Sequence, residues 1–147
     1  MKRYLKLVVL PFLLFKLNIS FGQSIDSLSH RCDTNALKSI DGEQVIIMAN
    51  PMPEFPGGDG AMIEYIRSEF KYPEGKTHFQ GRIFSTFIVD KNGNVRNACI
   101  IQSKTTKGDP KSAELEVLRL ISKMPKWNPG RLNGSPVNVR YSLPISL

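Results

Sequence analysis

Side chains able to make or break bonds are few in this chain and poorly arranged for it. Neither His30 nor His78 belongs to a serine, cysteine or carboxylate arrangement that reads as nucleophile and base. Cys32 and Cys99 make at most one intramolecular bridge, and no metal-ligand spacing includes them. The favoured reading is two unpaired thiols, although export would permit a bridge. Glu114 and Glu116, beside Lys111 and Arg119, read as surface charge on a helix, not as a paired acid and base. Gly57-Gly58-Asp59-Gly60 lacks both the Lys-Ser/Thr of a phosphate loop and the spaced acids of a calcium loop. It reads as a flexible start to a helix. No catalytic, cofactor or metal site is expected, and so no enzyme.

What the chain does carry is a strand suited to pairing. Pro125-Lys126-Trp127-Asn128-Pro129 brackets the only tryptophan with prolines, and Gly130 and the turn dipeptide Asn133-Gly134 follow. Val137, Val139, Tyr141, Leu143, Ile145 and Leu147 then alternate with Asn138, Arg140, Ser142, Pro144 and Ser146. A period of two marks a strand with one buried and one polar face. Pro144 has no N–H for a ladder, so this strand is expected to have an open edge. Open edges are where another chain pairs. Trp127 is expected to pack on the domain while its prolines lock the crossover into the last strand.

A small domain must position that strand. Gln44 to Ala49 is a short apolar run suited to an edge strand, and Pro51, Pro53 and Pro56 hold the next piece extended. Asp59 is the expected cap of a first helix with the stripe Met62, Ile63, Ile66 and Phe70. Tyr72-Pro73 ends it near Lys71. Gly81 to Asp90 and Asn94 to Ser103 flank Asn92-Gly93, a hairpin signal in which both central residues take positive φ. The second of these strands alternates imperfectly, which suggests a bulge. Asp109 and Pro110 open a second helix with the stripe Ala113, Val117, Leu120, Ile121 and Met124, and Pro125 stops it. The order helix, strand, strand, helix, strand implies an α+β, two-layer domain over residues 51–147. Its three-stranded, mainly antiparallel sheet would carry both helices on one face.

The 147 residues hold one such domain plus a leader, and the 41% hydrophobic fraction is that of a globular protein. The net charge of +7 suggests nucleic acid only until the first 22 residues are set aside. These hold Lys2, Arg3, Lys6 and Lys16 and no acid, leaving 16 basic against 13 acidic side chains, or +3. No basic run interleaved with aromatics remains, so nucleic acid is not an expected partner. Residues 1–22 read as an export signal, with a basic start, an apolar run from Leu7 to Phe15, and small residues before Gln23. A short uncleaved membrane anchor is the competing reading. Residues 23–50 are polar and mixed, and read as a mobile tether that spans ~95 Å stretched.

From Met52 onward the chain resembles the C-terminal domain of TonB, the periplasmic energy transducer, in its Bacteroidetes-type form. The resemblance rests on Met52-Pro53-Glu54-Phe55-Pro56-Gly57-Gly58, Tyr72-Pro73, Gly81 with the strand to Asp90, and Asn92-Gly93-Asn94-Val95. Met124 to Gly130, Asn133-Gly134 and Val137 to Ile145 complete it. The resemblance implies a non-catalytic module without cofactor or metal. Such a module binds the TonB-box peptide of an outer-membrane transporter by strand addition, in energy-coupled uptake of siderophores, vitamins or glycans. It places the peptide-binding edge on Val137, Asn138, Val139, Arg140, Tyr141, Ser142 and Leu143, with Tyr72 and Pro73 as candidate contacts. It also implies inner-membrane motor proteins of the ExbB/ExbD type as partners, and an open edge admits a homodimer. A soluble exported adaptor or decoy with the same fold is the alternative role.

Overall fold

In the computed structural model, residues 31–72 and 79–147 are described; the expected export signal, residues 23–30 and the expected contact Pro73 lie outside them. Along the chain come β1 (Ser39–Ile40), β2 (Glu43–Ile46), α1 (Gly58–Glu69), β3 (Gln80–Val89), β4 (Val95–Lys107), α2 (Pro110–Ser122), β5 (Arg131–Leu132), β6 (Ser135–Pro136) and β7 (Asn138–Ser146). The main sheet has the order β1-β2-β7-β3-β4. The central strand β3 is antiparallel to both β4 and β7, as expected for the three-stranded core. The sheet has five strands instead of three because Ser39–Ile46 adds a hairpin, with β2 running parallel to β7.

Both helices cover one face. Val117, Leu120 and Ile121 of α2 are fully buried, and Ala113 nearly so. Ala113, Val117 and Ile121 share a cluster with Met62 of α1, Ile83, Phe87 and Val89 of β3, and Leu143 and Ile145 of β7. Asp109 caps α2 as expected, accepting from the Lys111 N–H, with Pro110 in the first turn. In α1 the cap position falls instead to Gly57 at φ 85°, and Asp59 sits in the first turn. There its charge still suits the positive end of the helix dipole. The core-facing side of α1 carries Met62, buried, with Tyr65, Ile66 and the capping Phe70 partly so, while Ile63 is 54% exposed. Ile63 follows Met62 by one residue, a turn of ~100° away from the core-facing line. Tyr65 Oη donates to the Leu120 carbonyl at 3.1 Å, and Arg119 Nη2 to the Glu69 carbonyl at 2.7 Å. Glu116 accepts from Arg119 and from the Lys71 N–H. The Glu116–Arg119 pair thus fastens helix to helix.

The opposite face of the sheet is covered by the segment read as tether. Leu37, Ile40 and Val45 pack on Ile88 of β3, beside Cys32 and Cys99. Those cysteines form a disulfide, which overturns the reading of two unpaired thiols. Asp41 and Gly42, at φ 51° and 79°, form the turn between β1 and β2. Arg31 to Ile46 is therefore an arm of the domain and not part of a mobile tether.

Candidate functional site

The geometry of β7 decides what its open side can do. The backbone of Leu147 exchanges both hydrogen bonds with Gly81, and the pairing is regular from Arg82↔Ser146 to Val89↔Val139. In an antiparallel ladder such closed pairs recur every second residue. Val139, Tyr141, Leu143 and Ile145 therefore turn their backbone groups to β3. Their side chains face the helices, where Val139, Leu143 and Ile145 are buried and Tyr141 is partly so. Asn138, Arg140, Ser142, Pro144 and Ser146 turn their N–H and C=O groups the other way.

That outward row is only partly open. β2 takes its first stretch through Val45↔Asn138 and Ile46↔Val139. Arg140 stands at the junction. Beyond it, among the described residues, no strand pairs with the outward side of Ser142, Pro144 and Ser146, all three exposed. Of the seven residues expected on the edge, Val137 precedes the strand and gives its N–H to the Gly130 carbonyl. Asn138 is occupied by β2, and the backbone of Val139 faces β3. Tyr141 and Leu143 are spent on β3. Arg140 and Ser142 remain, and the usable row continues to Pro144 and Ser146, past the expected end. The period of two running to Leu147 was the signal for that longer span.

The junction is electrostatically closed. Glu43 meets Lys91 at 2.5 Å and accepts from Asn138 Nδ2 at 3.3 Å. The Lys91 contact holds the Glu43 carboxyl below its ordinary range. Asn138 Oδ1 accepts from the Lys91 N–H. Nearby Asp90 is buried, which by itself would raise its carboxyl; donors from Asn94 and Asn92 and the charge of Arg96 outweigh this and lower it.

At the far end of β7, Ser146 and Leu147 line an apolar groove of about 300 Å³ with Ile63, Ile66, Phe70 and Tyr72. The expected contact Tyr72 therefore stands beside the end of the strand, stacked edge-on against Phe70 at 5.0 Å. Behind the strand, Trp127 is 3% exposed and meets Phe55, Phe87 and Tyr141 at 5.0 to 5.6 Å between ring centres. Glu54 exchanges both backbone bonds with Asn128, so the proline-rich piece before α1 pairs with the strap formed by Pro125 to Pro129.

The other rim of the sheet is less inviting. There β4 is partly covered by Arg31, which bridges to Ile100, and its end carries Lys104 and Lys107. Among the described residues no cluster of His, Cys, Asp or Glu is arranged to hold a metal, and no helix is long and apolar enough to cross a membrane.

Residues 68–146 match the family described as Gram-negative bacterial TonB protein C-terminal. No curated protein and no solved structure matches the chain.

Proposed function

The chain belongs to the TonB C-terminal domain family, and from that premise we propose that it binds the TonB-box peptide of an outer-membrane transporter as an added strand along Arg140 to Ser146. The family is not enzymatic; it acts through protein contacts with outer-membrane TonB-dependent transporters in energy-coupled transport, from the periplasm or envelope. The observation that supports the site is the outward row of β7, which no strand of the described chain occupies past Arg140. Ser142 and Ser146 offer donors and acceptors there, whereas Pro144 offers only its carbonyl.

A guest laid on this row forms a ladder of roughly five bonds, each worth about 0.5–1.5 kcal/mol net. Association costs take back a large part of that sum. The contact is therefore weak and readily released, as a connection between two membranes requires. The test is calorimetric titration of a TonB-box peptide into the protein and into Ser142→Pro. That residue's N–H faces away from β3, so the proline removes a donor to the guest without touching the β3–β7 ladder. Binding weakened about tenfold, with an unchanged melting temperature, is expected. No binding at millimolar peptide, or binding indifferent to Ser142→Pro, overturns the reading.

One observation favours the soluble adaptor over a membrane-anchored transducer. With the arm bridged at Cys32, residues 23–30 reach at most ~27 Å when fully extended. A domain anchored by residues 1–22 would stay close to the inner membrane, within reach of motor proteins of the ExbB/ExbD type but far from the outer membrane. Mass spectrometry of the protein from the cell envelope decides. A mature terminus at Gln23 supports the adaptor, and an intact leader supports the transducer.

A further inference from the structure

We propose that the Cys32–Cys99 bridge holds a resident strand on the guest's own edge, and that opening it by a dithiol lengthens that edge back to Asn138. The inference rests on the peptide-binding reading above and concerns the regulation of the same site. β2 and the guest would lie end to end on one side of β7. β2 stops at Ile46, and the chain then leaves the sheet: Ile47 and Met48 are 65% and 78% exposed. It is fixed again where the Asn50 N–H donates to the Arg131 carbonyl at 2.8 Å.

The arm is thus pinned at both ends, by the bridge at Cys32 and by the chain at Asn50. Between them it is held at β7 by two register pairs, with Leu37, Ile40 and Val45 on Ile88 and Glu43 between Lys91 and Asn138, and at β4 by exposed contacts, Asn97 Nδ2 donating to the Ala36 carbonyl and Arg96 facing Asp41. Pinning both ends keeps the local concentration of β2 at its edge high. Freeing one end turns the arm into a tail that must compete with any incoming strand.

The bridge is within reach of a small reductant. Both cysteines are only half-buried. A surface depression of about 220 Å³, lined by Asp33, Ala36, Leu37, Asn97, Ala98 and Cys99, opens beside them. In the reaction, a thiolate of the dithiol attacks one sulfur, forming a mixed disulfide and releasing the other cysteine. The donor's second thiolate then attacks the donor sulfur of that mixed disulfide, closing the donor's own disulfide and expelling the remaining cysteine as its thiolate. The bridge gains two electrons and two protons to give two thiols, and the donor becomes a disulfide.

The test compares the oxidised protein with the same protein in dithiothreitol. Amide exchange at Val45 and Ile46 is expected to accelerate at least about tenfold on reduction, while Ile83 to Val89 stay protected. Two extended peptides are titrated alongside, one of about seven residues covering Arg140 to Ser146 and one about two residues longer, reaching Asn138. Their affinities are expected to be equal in the oxidised protein and to differ about tenfold in favour of the longer after reduction. Ile46→Pro, with the bridge intact, provides a variant that needs no reductant and is expected to favour the longer peptide too. Unchanged exchange at β2 on reduction, or a peptide ratio equal in both states and in Ile46→Pro, overturns the proposal. Accelerated exchange at β2 with neither peptide binding in any state overturns the peptide-binding reading and supports release of the arm.

Discussion

Gly93 is where a single methyl group should do the most harm. It ends the β3–β4 turn at φ 86°, and a Cβ built there would lie 2.1 Å from the Trp127 carbonyl oxygen. The Gly93 carbonyl accepts from the Trp127 N–H at 2.8 Å, so turn and strap are joined at this point. In Gly93→Ala the left-handed backbone costs about 1–2 kcal/mol. The displaced strap loses a hydrogen bond worth about 0.5–1.5 kcal/mol and loosens the seat of Trp127 among three rings. A loss of about 3 kcal/mol is expected, against roughly 0.4–1 kcal/mol regained from the stiffer unfolded chain. Gly134→Ala is the control: its φ is 82°, yet nothing lies within 4 Å of the added Cβ. It keeps the backbone strain and the unfolded-state gain, and omits the collision. Trp127 is the only tryptophan and is buried, so urea denaturation followed by its fluorescence reads both variants directly. Gly93→Ala should unfold at a midpoint about 1–2 M below that of Gly134→Ala. Midpoints within about 0.3 M of each other would refute the claim that close approach, not φ alone, demands glycine here.

Pro144→Ala restores an outward N–H on β7 and should tighten a guest strand about two- to tenfold by calorimetry, with self-association rising in analytical ultracentrifugation. Ile88→Ala removes the fully buried side chain on which the arm packs and should cost about 3 kcal/mol in chemical denaturation. Asp90, Glu43 and Glu116 all have carboxyls held low in the folded chain, the last mainly by its bond from Arg119. A depressed folded value means stability that is present above the unfolded value of about 4 and lost as pH falls through the folded one. Melting temperature should therefore stay level from pH 7 to about 5 and drop below about 4, with a shallower drop in Asp90→Asn.

The core was legible because its signals are local. The stripes of α1 and α2, the cap at Asp109 and the alternation in β7 each follow from spacing alone, and both helices and β3, β4 and β7 stand where those patterns put them, except that β4 runs on to Lys107, past its expected end at Ser103. The turn at Asn92-Gly93 was misread in detail. Only Gly93 takes positive φ there, because the Asp90 carboxylate accepts from the N–H groups of Asn92 and Asn94 and ties the turn to a different shape. Asp41-Gly42 carries the same signal, but the sequence before it is polar, and Leu37 and Ile40 are too sparse for a period that would mark a strand. What patterns could not show was the partner of β2. An apolar run at Gln44 to Ala49 suits an edge strand, yet nothing in it names β7, and the Cys32–Cys99 pairing across 67 residues is equally silent. The open side of β7 accordingly begins later than the expected Val137 and runs past the expected Leu143.

The bridge also determines where a pull on the chain would be felt in the anchored reading. Tension arriving from upstream of Arg31 enters at Cys32 and crosses by a covalent bond to Cys99, in the middle of β4. Cys99 pairs with Thr86 of β3, and β3 holds β7 from Arg82↔Ser146 through Val89↔Val139. The load therefore passes through long ladders before it reaches a guest on β7. Without the bridge the same tension would enter through β1 and β2, whose grip on β7 is two register pairs, and would peel the arm first. Hydrogen bonds loaded in series fail where they are fewest. With the bridge closed, the shortest ladder in series is the guest's own, so the partner is released while the sheet stays whole.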